Sequence, residues 1–94
     1  MEYNAPAVEV INQWLEKSQK CIQETDRVIL LARPYSMHPD DWYISVVMAY
    51  LPDNDLHPYV TWMHNSSFPE KPDYFFSGNY FKEKVDAFED WKKR

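Results

Sequence analysis

Two apolar segments decide the fold of this chain: WYISVVMAYL at residues 42–51 and YVTWMH at residues 59–64. Both are rich in the β-branched and aromatic residues that are typical of strands. The connection between them is polar and is bounded by Pro52 and Pro58, which indicates a turn. The segments therefore predict an antiparallel hairpin. The expected cross-strand pairs are Tyr50 with Tyr59, Met48 with Thr61, and Val46 with Met63.

This register divides the hairpin into two faces. The first face is bulky and should pack on helices; it holds Trp42, Ile44, Val46, Met48, Tyr50, Tyr59, Thr61 and Met63. The second face is smaller but still largely apolar; it holds Tyr43, Ser45, Val47, Ala49, Leu51, Val60, Trp62 and His64. A sheet with one solvated face normally alternates apolar and polar residues, and this hairpin does so only weakly. The second face therefore needs a cover from the chain itself or from a partner.

The segments outside the hairpin predict two helices and one or two further strands. Residues 7–22 place their apolar side chains on one arc of a helix. Residues 28–32 fit either a strand or more of that helix, and we favour a strand because β-branched residues open the run and Arg33 and Pro34 close it. Residues 74–76 suggest a short edge strand. A helical pattern then follows Gly78 and runs through Phe81, Val85, Phe88 and Trp91, with Asn79 or Ser77 as its N-cap.

These elements predict an α+β fold. We expect an antiparallel three- to four-stranded meander flanked by an N-terminal and a C-terminal amphipathic helix, in the order α-β-β-β-(β)-α. A chain of 94 residues is the size of one domain, so residues 1–94 should form a single compact unit.

Charge and composition disfavour several classes of function. The net charge is −5, and no Lys or Arg occurs between residues 34 and 70. The order of elements resembles small α-β-β-β-α modules such as double-stranded-RNA-binding domains, but those strands and turns would need basic residues to contact phosphates, so we expect no nucleic acid as partner. The longest apolar run has six residues, too short to span a membrane. A single Cys without a signal peptide indicates a cytoplasmic protein.

The residues that carry chemistry form no recognisable catalytic or metal motif. Cys21 lies on the apolar arc of the first helix, where a thiol serves as packing. The three histidines and the aspartates of the turns do not follow the spacing of a zinc site. We therefore expect no enzymatic activity, no catalytic residues, no metal and no cofactor.

The function that the sequence favours is that of a small soluble protein-interaction module, with self-association as a homodimer included. Eleven of the sixteen aromatic residues lie between residues 42 and 81, and aromatic residues are enriched at interface hot spots. If both helices share the first face, the second face would supply the interface, with Tyr43, Val60, Trp62 and His64 at its centre. Two alternatives stay open. One is a small-ligand or peptide pocket between the sheet and the aromatic loop 68–81, lined by Asn65, Phe68 and Tyr74. The other is an acidic inhibitor of a nucleic-acid-binding protein.

Overall fold

The computed structural model describes residues 5–94 as a four-stranded antiparallel sheet with a helix before it and a helix after it. The N-terminal helix has three consecutive parts, which are α1 (Ala5–Trp14), a π-helical turn (Leu15–Gln19) and α2 (Lys20–Gln23). The strands are β1 (Val28–Pro34), β2 (Ile44–Tyr50), β3 (Tyr59–Asn65) and β4 (Phe75–Phe81). A 3₁₀ turn (Pro39–Asp41) precedes β2, and α3 (Lys84–Lys93) follows β4. The predicted fold class is confirmed.

The strands pair in chain order, and the central hairpin has the predicted register. Tyr50 lies opposite Tyr59, Met48 opposite Thr61, and Val46 opposite Met63. Residues 28–34 form the strand that the sequence favoured over a helix. Both β2 and β3 bury five consecutive residues. Because successive side chains of a strand point to opposite faces, the hairpin is covered on both sides.

The last strand is longer than predicted, and the last helix starts later. The sequence places a strand at residues 74–76 and a helix from Phe81, whereas β4 continues through Phe81 and α3 begins at Lys84 with Glu83 at its N-cap. The prediction of Asn79 or Ser77 as the helix cap is wrong, since both are strand residues. Phe81 pairs with Tyr59 across the sheet, and this pairing outweighs its helical spacing to Val85.

The N-terminal helix lies on the second face of the sheet. The indole Nε1 of Trp14 donates to Ser45 Oγ at 2.7 Å, and Ser18 Oγ donates to the backbone oxygen of Trp42 at 2.7 Å. The buried residues of this helix, Val10, Trp14, Ser18 and Ile22, follow one another at intervals of four. In a regular α-helix four residues rotate by about 40° more than one full turn, so the line of buried side chains would turn away from the sheet. The wider π-helical turn reduces that drift and keeps the line of buried side chains on the second face.

The indole of Trp62 fills the second face beside the helix. Its ring centroid lies 4.7 Å from that of Phe75, and the guanidinium carbon of Arg27 lies 5.5 Å from it. Gly78 leaves the space for this indole, because a Cβ atom at that position would lie 2.9 Å from Trp62 Nε1. The single glycine of the chain is thus a packing requirement of the second face.

A carboxylate fixes α3 to the first face. Asp90 Oδ2 accepts hydrogen bonds from Thr61 Oγ1 at 2.5 Å, Asn79 Nδ2 at 3.2 Å and Arg94 Nε at 3.2 Å. Burial alone would raise the pKa of Asp90, but these hydrogen bonds and the charge of Arg94 outweigh it and lower the pKa. The carboxylate therefore joins α3 to two strands in its ionised form.

A tryptophan anchors the other side of α3. Trp91 Nε1 donates to the backbone oxygen of Val46 at 3.0 Å, and Arg33 Nη2 donates to the backbone oxygen of Trp91 at 2.7 Å. The guanidinium carbon of Arg33 also lies 5.1 Å from the Trp91 ring centroid. Ala87, between these anchors, is fully buried against the sheet. Each face of the sheet therefore carries one helix, and the arrangement with both helices on the first face is not the one that forms.

Substituting Gly78 by Ala should destabilise the domain. The new methyl group would meet the indole of Trp62, which its own neighbours hold in place, and overpacking of this kind costs about 1–3 kcal/mol. Urea denaturation of G78A measures the loss. In a Trp62→Leu background, where the indole is absent, the same substitution should cost clearly less. An equal cost in both backgrounds would show that the indole is not the reason for the glycine.

Replacing the carboxylate of Asp90 by an amide should loosen α3. Asp90→Asn keeps the shape but removes the charge that Thr61, Asn79 and Arg94 donate to, and we expect a loss of about 1–3 kcal/mol in the free energy of unfolding. The matched control is Glu89→Gln on the same helix, whose carboxylate makes one exposed ion pair with Lys92 at 3.0 Å. The control should change stability by less than about 1 kcal/mol. Equal losses in the two variants would contradict the anchoring role.

Candidate functional site

Three of the four residues of the predicted interface lie inside the molecule. Val60 and His64 expose no surface and Trp62 exposes 8%. Tyr43 is half-buried; it lies before β2, its ring meets the Trp42 ring edge-on at 5.9 Å, and its backbone oxygen accepts from a loop amide. The second face is thus covered by the chain's own N-terminal helix. Of the two covers that the sequence left open, the chain's own helix is the one that forms, so Val60, Trp62 and His64 are not available to a partner.

The buried His64 is part of a polar cluster under the N-terminal helix. Its Nε2 donates to the backbone oxygen of Pro72 at 2.8 Å, since a carbonyl can only accept, and its Nδ1 then accepts from Ser66 Oγ at 3.1 Å. Cys21 Sγ donates to the same Pro72 oxygen at 3.4 Å. Burial lowers the pKa of His64 and outweighs the hydrogen bond to Pro72 and the charge of Asp73. The imidazole is therefore neutral at pH 7.

This cluster contains a hydroxyl and a base but not the rest of a hydrolytic site. Ser66 and His64 have the composition of a nucleophile and its general base. Acyl transfer also needs free N–H donors for the oxyanion. The amide of Ser66 donates to the Tyr43 oxygen, and the amide of Ser67 donates to Asn65 Oδ1. Burial also raises the pKa of the nearby Cys21 thiol, which leaves it protonated. The cluster fits a structural role, in which it fastens the loop between β3 and β4 to the N-terminal helix.

The residues of the predicted pocket lie together, but they form a ridge. The Asn65 amide donates to the Tyr74 oxygen at 3.0 Å, and the rings of Phe68 and Tyr74 stack with centroids 5.6 Å apart. Phe76 meets Tyr74 edge-on at 5.8 Å. The rings therefore cover part of one another, and each keeps more than a third of its surface exposed. Asn65 Oδ1 is also occupied, since it accepts from the amide and the hydroxyl of Ser67.

The sequence missed a cleft on the first face between β1 and α3. This β1–α3 cleft has a volume of about 310 Å³ and is lined by Leu30, Leu31, Met48, Lys84 and Phe88. Met48 forms a buried floor, whereas Leu30, Leu31 and Phe88 each expose more than a third of their surface. Lys84 is the one charged side chain of the lining. The cleft is therefore an apolar surface with a single cation at its margin.

A β-bulge explains why two consecutive leucines line the same cleft. Side chains of a regular strand alternate between faces. In β1 the register shifts between Ile29 and Leu31, and an extra residue of this kind lets Leu30 and Leu31 point to the same side. The only signal in the sequence is the run at residues 28–32, which is apolar at every position and gives no information about a bulge.

Both edges of the sheet carry features that discourage further pairing. On β4, Arg94 Nη2 donates to the Ser77 oxygen at 2.5 Å, and Ser77 has a φ of 56°, which disturbs the regular strand. On β1, Arg33 Nη1 donates to the Pro34 oxygen at 3.1 Å, Pro34 has no N–H to donate, and the register shifts at Leu30. The exposed Val28, Leu30 and Leu31 make the first half of β1 apolar, and this part of the strand runs along the cleft.

Within residues 5–94, no group of three His, Cys, Asp or Glu side chains is placed to hold a metal ion. In the same part of the chain, no helix has the length and apolarity needed to cross a bilayer. Comparisons with protein-family models, with curated proteins and with solved structures find no match for the chain. The assignment of a function therefore rests on the geometry of the molecule alone.

The burial of neutral His64 predicts that the domain loses stability in mild acid. Its folded-state pKa lies below the ordinary value of 6.5, so the unfolded chain takes up the proton first as the pH falls. The free energy of unfolding should decrease as the pH drops below about 6.5, by at most about 1.4 kcal/mol per pH unit from this group. Urea titrations between pH 7.5 and 5, about half a pH unit apart, measure this decrease in the free energy of unfolding. His64→Gln should flatten this slope, whereas the exposed His57→Gln should keep it; equal slopes in all three proteins would contradict the assignment.

Proposed function

We propose that this protein is a non-catalytic protein-binding module whose binding surface is the β1–α3 cleft and the adjoining exposed side chains of β1. The observation that carries the proposal is the exposure of Val28, Leu30, Leu31 and Phe88 side by side, in a domain whose two central strands each bury five of their seven residues. A contiguous patch of exposed apolar side chains on a small domain is typical of an interaction site.

The shape and chemistry of the cleft support a polypeptide as the ligand. A cleft of about 310 Å³ has room for a few side chains and is at the lower limit for a small-molecule site. Its aliphatic and aromatic walls suit apolar side chains, and Met48 gives the floor some adaptability. Lys84 at the margin favours a carboxylate on the partner.

The geometry supports this function better than the two alternatives from the sequence. Around Tyr74 the ring of Phe68 stacks and the ring of Phe76 meets it edge-on, so these rings contact one another where a ligand would have to contact them. An acidic inhibitor would present its charges on one surface. Here Asp40 and Asp41 precede β2 and Asp53 and Asp55 follow it, so these carboxylates lie at opposite ends of the sheet.

Site-specific photo-crosslinking in the cells that make the protein tests the proposal. A benzophenone amino acid replaces Leu31 in the cleft or, as the control, Phe68 on the aromatic ridge; both side chains have similar exposure. We expect a covalent adduct with a polypeptide from position 31 and little or none from position 68. The absence of an adduct at position 31, or equal adducts at both positions, would overturn the assignment of the surface. Circular dichroism checks that both variants are folded.

A further inference from the structure

We propose that the polypeptide bound in the β1–α3 cleft is an amphipathic helix of another protein, with apolar side chains along one side and a carboxylate that pairs with Lys84. This inference rests on the proposed function and names the conformation and chemistry of its partner. A helix is about as wide as two strand spacings, so four strands leave room for two helices side by side on each face of the sheet.

On the first face, α3 occupies one of these two places. The hydrogen bonds of Trp91 and Asp90 fix it to β2, β3 and β4. Its contact with β1 is made by Arg33, which donates to the Trp91 oxygen near the end of both elements. Val28 and Leu31 lie earlier in β1 on the same face, and both are exposed. The strip above β1 and beside α3 therefore stays exposed in the described chain.

The walls of the cleft favour a helix over an extended segment. A polypeptide on an apolar surface must satisfy its backbone N–H and C=O groups. The side chains of Leu30, Leu31, Met48 and Phe88 offer no strong donors or acceptors, and the outer edge of β1 discourages pairing. A helix satisfies these groups within itself. About 15 helical residues match the length of the seven-residue β1.

The charges around the cleft complement an acidic segment. The chain carries a net charge of −5, yet β1 contains no Asp or Glu. On the cleft side of α3, Lys84 and Phe88 form the wall, and Lys92 Nζ lies 5.0 Å from the Phe88 ring centroid. Asp86 and Asp90, four residues apart, lie on the other side of α3, where Asp90 is bound to β3 and β4. The lining of the cleft thus contains no carboxylate.

Lys84 is the cation that a partner can reach. Lys92 already forms an ion pair with Glu89 at 3.0 Å, and the guanidinium of Arg33 is bound to two backbone oxygens. Lys84 is exposed and makes no ion pair with the carboxylates of residues 5–94. Apolar contacts in the cleft would supply most of the affinity, and a carboxylate opposite Lys84 would select the orientation of the helix.

Phage selection against the full chain tests the inference, with a library of random peptides of about 16 residues, long enough for four helical turns. We expect the enriched peptides to share apolar residues three and four positions apart, with an Asp or Glu beside them. The synthetic peptides should gain helical circular dichroism when they bind. Enriched peptides that alternate apolar and polar residues, as a strand does, would overturn the helix.

A substitution in the cleft tests where the helix binds. Leu31→Lys should weaken the binding of an enriched peptide by about tenfold or more, because it replaces apolar contact area by a charge. The control Leu56→Lys, in the exposed loop between β2 and β3, should leave binding unchanged. Circular dichroism checks that both variants fold, and amide chemical shifts of the unsubstituted protein locate the peptide independently. Shift changes centred outside the cleft, or equal effects of the two substitutions, would overturn the placement.

Reversal of one charge tests the role of Lys84. Lys84→Glu should weaken the binding of an acidic peptide by roughly three- to tenfold, and replacing the peptide's carboxylate by Lys should restore it. The matched control is Lys93→Glu, an exposed residue of the same helix that lies half a turn away around its axis. The control should have a smaller effect. Equal effects of the two reversals would contradict the ion pair.

The outcomes separate the helical partner from the surface. A crosslinked adduct from position 31, combined with enriched peptides that are not helical or with no enrichment at all, overturns the helix and leaves the proposed function standing. Peptides that bind independently of Leu31, together with the absence of an adduct, overturn both. A helical set of peptides that lacks Asp and Glu overturns the acidic character of the partner.

Discussion

Burial of the two central strands on both faces is the constraint on which the rest of the structure depends. β2 and β3 each bury five consecutive residues, so both faces of the hairpin need a cover. The described chain supplies one helix for each face. A helix with its side chains is about 10 Å wide, which equals about two strand spacings in a sheet. Each helix can therefore shield the central pair, and the side chains of the outer strands stay exposed wherever no helix reaches them.

The two helices are held on the sheet by hydrogen bonds as well as by apolar contact. Two indoles reach the same place on β2 from opposite sides, since Trp14 donates to the hydroxyl of Ser45 and Trp91 donates to the backbone oxygen of Val46. Tryptophan suits this task because it combines a large apolar ring with one N–H donor. Two of the chain's four tryptophans, both outside the aromatic-rich segment 42–81, thus attach the two helices to the sheet.

The sequence predicts the parts of the fold that depend on local pattern and misses those that depend on how elements connect. The central register follows from alternation and a proline-bounded turn. The apolar spacing from Val85 to Trp91 fits a helix whether or not the helix also includes Phe81. Only the pairing of Phe81 with Tyr59 assigns Phe81 to the strand. The cover of the second face depends on which side each helix takes, and no local pattern records that choice. The cleft was missed because a bulge at Leu30 reverses the alternation of β1.

The two outer strands of the sheet end its pairing by similar means. A guanidinium donates to a carbonyl oxygen on each of them, from Arg33 to Pro34 on β1 and from Arg94 to Ser77 on β4. The register of each outer strand also shifts once, and such irregularities discourage pairing with a further strand. The exposure of Leu30 and Leu31 is therefore a matter of coverage by side chains, because α3 covers the first face of β1 only in part.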